Sequence, residues 1–109
     1  MSNGRERELA DIFAALGDAT RLALVTQLLT VGALSATNLA EGQAISRQAI
    51  VKHLQVLEAA ALVTHERHGK EVLYALDGSR IEEARAFLNA ISAGWDRALS
   101  CLKSLVETA

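Results

Sequence analysis

The chain has 109 residues, 50% of them hydrophobic and 22% charged, and a net charge of −2; this is one domain's length with a modest core, and the composition argues against disorder. No apolar run approaches the roughly 20 residues of a membrane span and no signal-like stretch follows Met1, so a cytoplasmic protein away from membranes is expected. A single cysteine excludes an internal disulfide framework and an all-cysteine zinc site within one chain, and the absence of proline leaves long helices open.

One domain is expected over residues 1–109, with the polar residues 1–6 frayed. Leu9, Ile12, Phe13 and Leu16 share a helical face that ends at Gly17. Asp18 caps a second helix with apolar positions at Leu22, Val25, Leu28 and Leu29. After a break at Val31-Gly32-Ala33, Ser35 caps a short third helix that passes Leu39 and Ala40 and stops near Gly42. Ser46 caps a fourth helix, running to about Ala60, whose inner stripe is Ala49, Ile50, His53, Leu54 and Leu57. The pattern then changes to β-branched and apolar residues at Val63 to Arg67 and Glu71 to Leu76, a hairpin turning on Gly69.

From Ser79 to Thr108 the period is helical again. Ile81, Ala84, Leu88, Ile91, Trp95, Ala98, Leu102 and Leu105 recur at alternating steps of three and four, a heptad seam. A chain this small cannot cover such a seam alone, which predicts a homodimer. The expected interface residues are Leu9, Ile12, Phe13, Leu88, Ile91, Trp95, Leu99, Leu102 and Leu105. The fold class is therefore mainly α with a small β-hairpin, in the order α-α-α-α-β-β-α.

Two helices joined tightly across Glu41 to Ser46 suggest a helix-turn-helix, and the hairpin suggests its wing. The charge distribution agrees. Residues Ser46 to Lys70 hold four basic and two acidic side chains, and all three histidines, inside an otherwise acidic chain. A helix entering the major groove needs polar and basic groups near its N-terminus, and Ser46, Arg47, Gln48 and Lys52 provide them. Arg47 matches the paired acceptors of guanine, and Gln48 the donor and acceptor of adenine. Arg67, His68 and Lys70 at the hairpin tip suit phosphate contacts. Val51 has two readings, packing against the third helix or touching a thymine methyl.

These segments resemble the ArsR/SmtB family of bacterial winged-helix repressors. The resemblance is carried by Phe13 to Leu22 (FAALGDATRL), by Leu39-Ala40, by Ser46 to Leu57 (SRQAIVKHLQVL), by Ala61-Leu62-Val63 and by Leu73 to Leu76. It implies a winged helix-turn-helix that dimerises through its first and last helices and represses transcription from an operator in double-stranded DNA, an inverted repeat if the dimer is two-fold. It does not bring a metal site with it. Metal-sensing members carry a cysteine pair near the start of the third helix, where this chain has Leu34-Ser35-Ala36-Thr37, and others use ligands on the last helix, which here contains no histidine. No metal and no cofactor are expected, and no particular effector is indicated.

Other readings stand beside these. His53 reads as a hydrogen-bonded core histidine. His65 and His68, three apart on a strand, fall on opposite faces rather than in one chelate. Cys101 is either a buried filler or a redox thiol, able to link two subunits if the two-fold axis passes nearby. Arg21 either meets backbone phosphate or pairs with a carboxylate. With no glycine-rich phosphate loop and no nucleophile motif, an enzyme is not expected. The alternatives to a metal-independent repressor are a winged-helix protein-interaction module without DNA binding, which the acidic total charge favours, and a redox-responsive repressor using Cys101.

Overall fold

The structure is a computed structural model, and it describes residues 3–108. The elements in chain order are α1 (Asn3–Leu16), α2 (Ala19–Val31), β1 (Leu34–Ser35), α3 (Ala36–Gln43), α4 (Arg47–Ala59), β2 (Val63–His68), β3 (Glu71–Leu76) and α5 (Gly78–Thr108). The expected order holds with one addition, the two-residue strand β1. It pairs antiparallel with β3, Leu34 opposite Tyr74 and Ser35 opposite Leu73, and makes a three-stranded sheet of order β1-β3-β2. So short a strand leaves no periodicity to read; only its tertiary partner defines it.

The starts of α2, α3 and α4 are each set by a local side chain. Asp18 accepts a hydrogen bond from the Arg21 N–H at 3.0 Å, Ser35 from Asn38 at 3.2 Å and Ser46 from Ala49 at 3.1 Å. Each satisfies one of the orphan donors at a helix N-terminus. The hairpin turns at Gly69, whose φ of +64° is open to glycine at little cost. At Gly42, near the end of α3, a Cβ would meet only the end of the flexible Gln27 side chain, at 2.9 Å, which would have to swing aside. The helix ends one residue later, with Ala44 in the left-handed region as its C-cap.

Two details of the N-terminal half are visible only in the structure. α1 begins at Asn3, and Glu6 in its first turn suits the positive end of the helix dipole. Met1 and Ser2 lie outside the described residues. In α2 the buried positions are Leu24 and Leu28, while Leu22 is 50% and Leu29 73% exposed. That helix is apolar nearly all round, so spacing could not choose its inner face; packing against α3, α4 and the sheet does.

The core draws on every helix. Ile12 and Ala15 of α1 and Leu24 and Leu28 of α2 meet Ala36 and Leu39 of α3 and Ile50, Leu54 and Leu57 of α4, with Leu62, Val63 and Ala84 closing the cluster. α4 is the central element: Leu54 is fully buried at its middle. α5 joins the core only through its first turns, Ile81 and Ala84, and then leaves it. The Phe13 and Phe87 rings meet at 5.8 Å, and Arg80 pairs with Glu8 at 3.3 Å, tying α5 to α1. The radius of gyration is 18.5 Å and the extents are 69 × 33 × 20 Å. A compact chain of this length has a radius of gyration near 13 Å, so the excess is the protruding α5.

Candidate nucleic-acid interface

The first turn of α4 stands at the surface. Ser46, Arg47, Gln48 and Lys52 are all exposed, and α3 precedes α4 across the short link Ala44-Ile45-Ser46. The inner face of α4 is fixed by Ile50, Leu54 and Leu57, which are fully buried, and this turns Arg47, Gln48 and Lys52 outward. Beside them, between α3, α4 and strand β3, lies a groove of about 440 Å³. Arg47 and Lys70 enter it from opposite sides, the helix-turn-helix and the wing, and Glu71 enters it with them.

Val51 lines the same groove and is partly buried against the core, so it packs inward and also keeps surface on the groove. The wing side chains have local partners. Arg67 folds back so that its Nε donates to the Gly69 carbonyl at 3.2 Å, and His68 lies 3.3 Å from the Glu66 carboxylate. His65 points to the other face, 2.8 Å from Glu58 and with its ring 5.6 Å from Tyr74. The two histidines thus have separate partners. Burial pushes the Tyr74 phenol above its ordinary value, helped by the Glu58 charge and opposed by Arg47, so the hydroxyl keeps its proton.

Thr37 and Asn38 are groove residues that the sequence did not single out. The signal was there: Ser35, as the N-cap, places both in the exposed first turn of α3. Backbone N–H groups at a helix start favour phosphate.

Arg21 is engaged within the fold. Its Nε donates to the Ala15 carbonyl at 2.6 Å and its Nη2 to that of Ala14 at 3.5 Å, covering the C-terminal end of α1. Its Nη1 lies 3.4 Å from His53 Nδ1. His53 is therefore not a core histidine; its side chain is 26% exposed and meets the α1–α2 corner, 3.8 Å from Asp18. The hydrogen bond from the Arg21 backbone holds the Asp18 carboxyl below the ordinary aspartate range, and the charges of Arg21 and His53 act in the same direction.

The expected interface residues divide. Leu88, Ile91, Trp95, Leu99, Leu102 and Leu105 are all exposed along α5. Leu9 and Phe13 are half-buried on α1, next to Phe87. Ile12 is corrected: at 1% exposure it belongs to the subunit's own core and has no surface to offer a partner. Cys101 is exposed on α5, so it is not a buried filler within the subunit. Among the described residues, no three of the His, Cys, Asp and Glu side chains are grouped to hold one metal ion, and no single helix is long and apolar enough to cross a membrane.

The comparisons with known proteins agree with this geometry. A helix-turn-helix domain family matches residues 16–66, from the end of α1 into the wing. The chain is 35% identical over 94 residues to the HTH-type transcriptional regulator Rv2034 of Mycobacterium tuberculosis, covering 86% of this chain and 84% of that protein. An ArsR-like transcriptional regulator from Rhodococcus sp. RHA1 superposes with a TM-score of 0.80 at 40% identity, over 94% of this chain and 95% of the other. The chain belongs to the ArsR/SmtB family. It is a DNA-binding transcriptional regulator with the family's winged helix-turn-helix. The transcriptional repressor SdpR of Bacillus subtilis is 31% identical over 85 residues, covering 77% of this chain and 93% of its own length. In this ArsR-family regulator α3 and α4 form the helix-turn-helix, β2 and β3 form the wing, and the groove lies between them. Neither the interaction-module reading nor the redox reading is favoured by these relatives.

Proposed function

We propose that this regulator is a cytoplasmic homodimeric repressor that reads an inverted-repeat operator and responds to no metal. The observation that carries the DNA reading is the exposed first turn of α4, where Arg47 and Gln48 stand beside a groove that Lys70 closes from the wing. Arg47 and Gln48 are assigned to base edges; Lys52, Arg67, His68 and Lys70 to phosphates, with Ser46 capping the helix that carries them. Val51, partly buried against the core and lining the groove beside them, is assigned to apolar contact with a thymine methyl.

A two-fold dimer built on the α5 seam presents two recognition helices related by symmetry, so half-sites should lie about one helical turn or a multiple of it apart. The test is to sequence DNA fragments retained by the purified protein. An enriched inverted repeat with that spacing is the expected result. Fragments of random sequence retained with a steep salt dependence would instead mean that binding is electrostatic only.

The metal reading rests on the residues at the positions where relatives place ligands. Leu34-Ser35-Ala36-Thr37 has no thiol, and α5 has no histidine. Zinc, cadmium or arsenite is expected to change operator affinity by no more than roughly threefold, far short of a coupling that would switch a repressor. Stoichiometric metal uptake coupled to DNA release, followed by calorimetry and a mobility shift, would sink it.

A further inference from the structure

The α1–α2 corner and the recognition helix meet through polar side chains at His53, which lies near both Arg21 and Asp18. His53 sits midway along α4, on the turn that follows Arg47 to Lys52. Among the described residues, the charged groups that its ring meets are Asp18 and Arg21, at 3.8 and 3.4 Å from Nδ1. Both come from the corner between α1 and α2; none comes from α4 itself. The same guanidinium covers the last carbonyls of α1, the helix whose outer face, Leu9 and Phe13, lies beside α5. A chain of direct contacts thus runs from the end of α1 through Arg21 to the helix that enters the DNA.

We infer that Arg21 and His53 are positioning residues that set the register of the recognition helix against the α1–α2 corner, and that the operator-competent register requires the neutral imidazole. The chemistry of the contact has two states. The neutral ring carries a lone pair on Nδ1, its proton on Nε2, and can accept from the Arg21 Nη1–H. The protonated ring has no acceptor. It places a second positive charge against the guanidinium and is drawn instead to the Asp18 carboxylate. Imidazole changes charge within the physiological range. Protonation therefore trades one partner for another on a different atom, and the ring sits on the helix whose N-terminal turn has to match base edges.

The sign of the effect separates this link from ordinary electrostatics. Protonating His65 or His68 adds positive charge and strengthens binding to any duplex, operator and random alike. Protonating His53 shifts the register of α4 and weakens only base-specific contacts. The diagnostic quantity is the ratio of operator to random-duplex affinity. This readout rests on the repressor reading above.

In the wild-type regulator that ratio is expected to fall about fivefold or more between pH 7.5 and 5.5, the scale of a modest coupling between sites. His53→Gln keeps an acceptor for Arg21 and cannot gain a proton, so its ratio should stay high at both pH values. His53→Leu keeps the bulk without the acceptor, so its ratio should be low at both, with thermal unfolding showing that it is folded. A wild-type ratio that does not move with pH, or one that falls as far in His53→Gln, overturns the inference. A second measurement needs no DNA. Nitrogen-15 NMR of the imidazoles at pH 8 should show His53 with its proton on Nε2, and a proton on Nδ1 instead would refute the link. If no operator is found at either pH, the repressor reading fails, while the tautomer still decides whether His53 accepts from Arg21.

Discussion

Replacing Trp95 by alanine is expected to weaken the dimer by about 2 kcal/mol or more, roughly thirtyfold in dissociation constant. Trp95 lies at the middle of the long last helix and is 67% exposed in the isolated subunit, between the exposed Ile91 and Leu99. So large an apolar side chain rarely stands open to water at the centre of an apolar seam unless it meets a partner, and tryptophan is a frequent anchor of interfaces. The elongated shape makes the same point: α5 leaves the core after Ala84 and projects from the body. Sedimentation equilibrium at several concentrations measures the effect. The subunit's own core contains no part of Trp95, so the variant should keep its helical content and lose only association. A wild-type chain that sediments as a monomer at micromolar concentration, or equal dimer constants in both proteins, contradicts the α5 interface.

Arg47→Ala is expected to cost about 1–3 kcal/mol of operator affinity and to relax preference at particular base pairs. Arg47 is exposed in the first turn of α4, and its guanidinium has no hydrogen-bond partner among the described residues that would have to be broken first. Lys70→Ala gives the contrasting result. It removes a presumed phosphate contact, so it should weaken operator and random DNA to the same degree and make the salt slope shallower by about one unit. Titrations of both variants at several salt concentrations separate the two roles. If Arg47→Ala and Lys52→Ala both leave affinity untouched while the dimer stays folded, α4 does not read the bases.

The starts of α2, α3 and α4 could be read directly from the chain because each is decided within a few residues. Asp18, Ser35 and Ser46 cap as their sequence positions predict. So could the inner stripe of α4, where apolar spacing and burial coincide at Ile50, Leu54 and Leu57. The outward turn of Arg47, Gln48 and Lys52 follows from that stripe by helical geometry alone. The hairpin was legible through Gly69, since a single positive φ at a glycine marks the turn.

What the chain did not disclose depends on partners distant in sequence. The face of α2 was undecidable from an all-round apolar helix; its packing buries Leu24 and leaves Leu29 in water. Ile12 and Phe13 are neighbours on one apolar stripe, yet one is inside the subunit and the other meets Phe87 near the surface, because α5 crosses only one side of α1. β1 exists because Leu34 and Ser35 lie opposite Tyr74 and Leu73, about forty residues away. Arg21 and His53 looked unrelated, one a candidate for phosphate and the other for the core, and the fold brings them together at the α1–α2 corner. Capping and periodicity are short-range and were determined by the sequence itself; which apolar face is covered, and which polar groups then meet, is settled by burial and desolvation among elements whose relative placement only the tertiary structure decides.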